Sequence, residues 1–145
     1  MGSKVTKIEF EFPKMKVSNN DLKIKFPGYD FDIFEKKIGI QNRYISNENE
    51  TSISLGIGAA QKLFNKHKIN KDEIDFVIFC SQTHDYIIPQ SSTIIQDKLN
   101  LRNDIGTIDI NHGCSGYVYG LSLAKSLIGS VNIRKVLFIT SDTYS

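Results

Sequence analysis

Two cysteines, Cys80 and Cys114, are the strongest nucleophiles that the 145-residue chain offers, and their surroundings differ. Cys114 stands in Asp109-Ile110-Asn111-His112-Gly113-Cys114-Ser115-Gly116-Tyr117-Val118-Tyr119-Gly120-Leu121, between the end of an apolar strand pattern and the start of a helix pattern. A helix leaves its first N–H groups without intrahelical partners, and its dipole adds about half a positive charge at that end. Both effects favour thiolate over thiol, and the thiolate is the nucleophile. Such a position lowers a cysteine pKa from ~8.5 by a unit or more. Gly113, Gly116 and Gly120 lie around it. A glycine costs a helix interior roughly 1 kcal/mol, so something is expected to approach this backbone closely. Cys80, inside Phe76-Val77-Ile78-Phe79-Cys80, reads instead as a small buried hydrophobe.

Other site chemistries find less support. No Cys-x-x-Cys pair occurs, and the histidines are only His67, His84 and His112, so neither a disulfide framework nor a metal site is expected. Two residues from Cys114, His112 is sterically awkward as its base. Gly113-Cys114-Ser115-Gly116 has neither the Gly-x-Gly-x-x-Gly pattern nor the Gly-Lys-Ser/Thr ending of a phosphate loop.

The elements that must hold Cys114 alternate in period. Lys7-Ile8-Glu9-Phe10-Glu11-Phe12 alternates charged and apolar residues, which predicts a half-buried strand ended by Pro13. Asn19, Asn20 and Asp21 offer turn or cap chemistry, and Phe31, Ile33 and Phe34 anchor a short helix. Ile53, Ile57, Ala60 and Phe64 form a helical stripe behind the caps Thr51 and Ser52, running to about Lys66. Asn70-Lys71-Asp72-Glu73 then reads as a capping turn before the strand Phe76–Cys80. A second helix opens at Pro89 and Ser91-Ser92, and Thr107–Ile110 is a strand leading to Cys114. A third helix runs from Ser115 to about Ile128, and Lys135–Ile139 closes the series as a strand. The third helix has so little polar face that cover on more than one side is expected. Strands alternating with helices predict an α/β layer with a largely parallel sheet.

Composition bounds the rest. The chain is long enough for one real core, so one domain is the default. With 40% hydrophobic and 23% charged residues and a formal net charge of +2, it reads as an ordinary globular protein without a strong field for nucleic acid or membrane. Neither a leader-like N-terminus nor a stretch of ~20 apolar residues occurs, so a cytoplasmic protein is expected.

The segment Asn111-His112-Gly113-Cys114-Ser115-Gly116-Tyr117-Val118-Tyr119-Gly120-Leu121 resembles the active-site segment of the ketoacyl-acyl carrier protein synthase III family of the thiolase-like superfamily. Ile38-Gly39-Ile40-Gln41-Asn42-Arg43-Tyr44-Ile45, Asn49-Glu50-Thr51, Ser81–Pro89 and Phe138-Ile139-Thr140-Ser141-Asp142 are similar to further family stretches, in the same order. The resemblance covers roughly residues 38–145. It implies an α/β thiolase-like fold, N-terminal half only: a largely parallel mixed sheet, helices on both faces and a buried active-site helix. Residues 1–145 are then one N-terminal domain, with the C-terminal half absent.

By that resemblance Cys114 is the catalytic nucleophile of an acyltransferase. It accepts an acyl group from acyl-CoA for decarboxylative condensation with malonyl-acyl carrier protein, and no cofactor is tightly bound. The His and Asn used for decarboxylation belong to the other half, so this chain is expected to stop at the acyl-thioester. The implied partners are acyl-CoA, acyl carrier protein and a second copy in a homodimer, with no nucleic acid and no membrane. Two positions depart from the family's adenine sandwich: Ile33 and Lys37 stand where Trp and Arg are usual, leaving Lys37 to meet a phosphate of CoA or of a carrier arm, or simply solvent. Ile88 matches the residue that lines the partner's acyl pocket across the dimer, and reads equally as a core isoleucine before Pro89. Alternatives that keep the fold are an ester- or amide-forming relative, a thiolase and a hydroxymethylglutaryl-CoA synthase-like enzyme. A non-catalytic dimerisation unit is the remaining one.

Overall fold

The computed structural model describes residues 2–129 and 132–144. They form two compact units, one of Phe12–Glu50 and one that joins the N-terminal segment through Glu11 to Thr51–Tyr144.

In the smaller unit β1 (Met15–Ser18) pairs antiparallel with β2 (Asn42–Ile45), Met15 opposite Ile45 and Ser18 opposite Asn42. Helix α1 (Asn19–Lys25) can start at once because Ser18 and Asp21 cap it reciprocally, the Ser18 N–H donating to the Asp21 carboxylate at 2.8 Å. The Ser18 hydroxyl, and after it the Ser18 N–H, hold the Asp21 carboxyl below the usual carboxylate range. Helix α2 (Phe31–Ile38) is the predicted helix around Phe31, Ile33 and Phe34; the Asp30 carboxylate caps it by accepting from the N–H groups of Asp32 and Ile33. Buried Asn19 closes the unit, donating to Ile40 O at 2.9 Å and accepting from Arg43 at 2.7 Å.

In the larger unit α3 (Ser52–His67) begins at Thr51, whose hydroxyl accepts from the Ser54 N–H at 3.2 Å while the Ser54 hydroxyl accepts from the Thr51 N–H at 2.9 Å. A single 3-10 turn at Lys71–Glu73, capped by the Asn70 side chain, leads into β3 (Phe76–Cys80). There follow α4 (Ser91–Lys98), β4 (Gly106–Ile110), α5 (Gly116–Ile128) and β5 (Val136–Thr140). The sheet order is β4-β3-β5, all parallel, with Phe76 opposite both Gly106 and Val136.

Strand alternation divides this sheet into two faces. Val77, Phe79, Leu137 and Ile139 join Ile53, Ala60 and Phe64 of α3 and Ile95 and Leu99 next to them in one buried cluster. From the opposite face Cys80 and Phe138 meet the backbone of α5. Helices therefore lie on both faces, as expected. Among the described residues α5 is covered on its sheet side, through Gly116, Gly120 and Ala124, while Tyr117, Val118 and Tyr119 are exposed. No helix among the described residues is long and apolar enough to cross a membrane.

The strand predicted for Lys7–Phe12 does not form. Its acidic residues face the protein: Glu9 pairs with Lys66 at 2.7 Å and His67 at 2.9 Å, and Glu11 with Lys62 at 2.8 Å. Ile8 and Phe10 are instead 72% and 64% exposed. Alternation reports a two-sided segment, whereas a strand also needs a ladder beside it, and a single-segment pattern carries no information about that neighbour.

Candidate active site

The strands of the larger unit all end on one side, and from there α4 and α5 depart on opposite faces of the sheet. In open α/β layers the space beyond the carboxyl ends of the strands is where ligands bind. Cys114 lies there, four residues past the end of β4 and two before the start of α5.

A tight turn builds the position. The Gly116 N–H donates to Gly113 O at 2.7 Å, and the Tyr119 N–H to Ser115 O at 3.0 Å, which turns the chain from strand into helix. Ser115 is the cap residue, with helical backbone angles and no side-chain cap bond. Cys114 is exposed one residue ahead of it.

Cys80 has the opposite environment. Its thiol is buried and donates to His112 O at 3.5 Å, and burial pushes it above the usual thiol range. A thiol held protonated is a poor nucleophile, so the two cysteines divide into one available group and one packing group. The close approach expected from the glycines is also explained. A Cβ at Gly116 would stand 2.4 Å from Cys80 Sγ, and one at Gly120 would stand 2.2 Å from the Phe138 ring. These glycines let α5 settle on the sheet rather than make room for a ligand. The His112 ring stacks on Tyr119, with centroids 4.9 Å apart.

Two carboxylates at the strand ends organise the surroundings, and sequence reasoning gave neither a role. Asp109 in β4 accepts the Ser91 and Ser92 N–H groups at 2.7 and 2.8 Å, capping α4 from another element. Asp142, two residues past β5, accepts from the Gln82 N–H at 2.6 Å, the Ser81 hydroxyl at 3.1 Å and the Thr83 hydroxyl at 3.3 Å. The signal for Asp142 was its place in the Ser141-Asp142 pair; its partners lie about sixty residues earlier. His84, Ser91 and Asp109 superficially suggest a hydrolytic triad. Both Ser91 Oγ (3.1 Å) and Asp109 Oδ2 (3.6 Å) nevertheless meet the same ring nitrogen, Nδ1, and Ser91 is fully buried. A triad needs serine and carboxylate on opposite nitrogens and a reachable hydroxyl.

The other expected site residues are surface groups. Ile88 precedes Pro89 across a cis peptide bond and is 86% exposed, which removes its reading as a core isoleucine. It belongs to the larger unit with Cys114, whereas Ile33 and Lys37 lie on α2 of the smaller unit, both exposed.

A three-stranded parallel layer flanked by helices, with an exposed cysteine at the turn from strand into helix, fits the thiolase-like fold that the resemblance implies. Comparison with known proteins narrows this. The sequence model described as 3-oxoacyl-[acyl-carrier-protein] synthase III matches residues 108–145, which include Cys114. The chain is similar to beta-ketoacyl-[acyl-carrier-protein] synthase III 2 of Halalkalibacterium halodurans, at 34% identity over 99% of its own length and 42% of the relative's. Among solved structures it is similar to a 3-oxoacyl-(acyl-carrier-protein) synthase III, with 40% identity and a TM-score of 0.90 over 95% of this chain and 41% of that one. It also resembles a 3-oxoacyl-(acyl-carrier protein) synthase from Burkholderia xenovorans LB400, at 30% identity and a TM-score of 0.81 over 91% of this chain and 39% of that one. The chain is thus similar to part of the 3-oxoacyl-acyl carrier protein synthase III family and spans about two fifths of the length of the relatives it matches.

Proposed function

We propose that Cys114 is the acyl-accepting nucleophile of a 3-oxoacyl-acyl carrier protein synthase III-type acyltransferase. The observation that carries this reading is the exposed thiol at the strand-to-helix turn, in the segment matched to that family, beside a second thiol that is buried and held protonated. The thiolate attacks the thioester carbonyl of an acyl-CoA, and the carbonyl electrons move onto oxygen. Collapse of the tetrahedral intermediate expels CoA thiolate, which takes up a proton, and leaves the acyl group on Cys114 Sγ. The Cys114 N–H, at the head of α5, is a donor for the oxyanion; removing one such donor from other enzymes costs about 3 kcal/mol of transition-state stabilisation.

The acyl group is then condensed with malonyl-acyl carrier protein, with loss of carbon dioxide. Groups for that step are not among the residues assigned here, and the resemblance places them in the family's other half. Acyl-CoA and acyl carrier protein are the partners of this reading, with no tightly bound cofactor, a homodimer as the assembly and the cytoplasm as its setting. Ile88, projecting from the loop before α4, lines the acyl pocket of the second copy, and Lys37 meets a phosphate of the donor or carrier arm.

Intact-mass measurement of the chain with a panel of acyl-CoA donors, beside Cys114→Ser, tests the proposal. The expected result is a donor-specific mass increase that disappears in Cys114→Ser. An adduct that survives the substitution refutes the assignment of the nucleophile.

A further inference from the structure

We infer that Asp142 is a positioning residue for the nucleophile turn, acting through Gln82 and the loop 81–83. The inference deepens the reading of Cys114 as the acylated group and rests on it for its functional meaning, while its structural content stands separately.

The connection can be followed atom by atom. Asp142 Oδ1 gathers three donors from one short loop, the Gln82 N–H at 2.6 Å and the hydroxyls of Ser81 and Thr83. The loop is drawn together internally, since the Thr83 N–H donates to Ser81 Oγ at 3.0 Å. It is also fastened to both neighbouring strand ends: the Ser81 N–H donates to Ile110 O of β4 at 3.1 Å, and the Thr143 N–H to Thr83 Oγ1 at 2.9 Å. A single carboxylate oxygen therefore fixes where the chain goes after β3 relative to the ends of β4 and β5. Hydrogen bonds to an ionised acceptor are about twice as strong as neutral ones, which suits Asp142 to that task.

Gln82 carries the constraint onward. With its backbone pinned by Asp142, its side chain lies against Gly113, the residue before Cys114: a Cβ there would stand 2.7 Å from Gln82 Oε1 and 3.0 Å from Cδ. The same amide oxygen accepts from the Tyr144 hydroxyl. Gln82 is thus a strut between Tyr144, just past Asp142, and the Gly113 carbonyl–Gly116 N–H turn that presents Cys114. The backbone of that turn sets both the direction of the thiol and that of the Cys114 N–H. A misplacement of about 1 Å at a reacting centre can cost ~10²-fold in rate, so a strut this close has kinetic weight.

The test is backbone amide exchange over the whole chain in Asp142→Ala, Asp142→Asn, Gln82→Ala and the double variant Asp142→Ala/Gln82→Ala, with acylation rates measured in parallel. Asp142→Ala should speed exchange locally, at 81–83 and 113–116, and slow Cys114 acylation by about tenfold or more. Asp142→Asn keeps an acceptor oxygen for the three donors and should restore most of both. Gln82→Ala should loosen 113–116 alone, and the double variant should be no looser there than the more affected single one, because both act along one path. Unchanged exchange at 113–116 in Asp142→Ala overturns the inference. If Asp142→Ala loosens all three strands together, Gln82→Ala decides, since its side chain is exposed: unaltered exchange at 113–116 in that variant overturns it. The exchange readout needs no acyl donor. Absence of an acyl adduct in the parent chain therefore counts against the proposed function and leaves the positioning role to be judged by exchange.

Discussion

The contact between Gly116 and Cys80 allows a quantitative test of how α5 is seated. An alanine Cβ at 116 would come 2.4 Å from Cys80 Sγ and 3.0 Å from His112 Cβ. Comfortable non-bonded separations are about 3.5–4.0 Å, so the overlap on sulfur exceeds about 1 Å. Relief requires either rotation of Cys80, which breaks its bond to His112 O, or displacement of the first turn of α5 from the sheet. Overpacking of this kind costs about 1–3 kcal/mol, and the gain in helix propensity at a first-turn position offsets only part of it. Gly116→Ala should therefore destabilise the chain by about 1–2 kcal/mol. Cys80→Ala alone should cost about 1 kcal/mol through the small cavity it leaves. In Gly116→Ala/Cys80→Ala the new methyl occupies the space vacated by sulfur, and the double variant should be more stable than the sum of the single effects by about 1–2 kcal/mol. Urea unfolding of the four proteins supplies the cycle. Additive effects within about 0.5 kcal/mol would mean that α5 does not rest on Cys80 in this way.

Two further outcomes follow from the carboxylates. Asp109→Ala leaves the buried N–H groups of Ser91 and Ser92 without their acceptor and should cost about 2–3 kcal/mol in denaturant unfolding, with Asp109→Asn in between; a loss below about 0.5 kcal/mol would remove Asp109 as the cap of α4. The Glu9 carboxyl is held below its ordinary range by hydrogen bonds from Lys66 and then His67, which outweigh its partial desolvation. A depressed folded-state pKa gives stabilisation that is complete above the unfolded value and lost as pH falls through the folded one. Protection of residues 2–11 from proteolysis should thus hold at neutral pH and fail on acidification below the usual carboxylate range, and Glu9→Gln should abolish that dependence. A pH-independent segment in the parent protein would show that these pairs do not hold it.

Much of the larger unit was legible because its signals are local. The stripe Ile53, Ala60 and Phe64 with the Thr51 cap specified α3, and the apolar runs Phe76–Cys80 and Lys135–Ile139 predicted the strands β3 and, shifted by one residue, β5 (Val136–Thr140). Cys114 was legible for the same reason: a thiol among small residues, at a change from strand to helix period, is a pattern within a dozen positions. The smaller unit was read less well. Its helix around Phe31 was found, but β1 and β2 are four residues each and exist only through each other, across an intervening pair of helices.

The chain by itself determined the order of strands and helices from α3 to β5, the separation of one cysteine at a strand-to-helix turn from one inside an apolar strand run, and the family resemblance, since each depends on residue type at short spacing. Only the tertiary structure decided that Glu9 and Glu11 face inward while Ile8 and Phe10 face out, that Gly116 and Gly120 admit Cys80 and Phe138, and that Asp109 and Asp142 fasten the ends of strands. The physical reason is the range of the interactions. Propensity and periodicity act over a few residues, whereas a carboxylate chooses its donors by where the folded chain brings them, here about sixty positions away for Asp142.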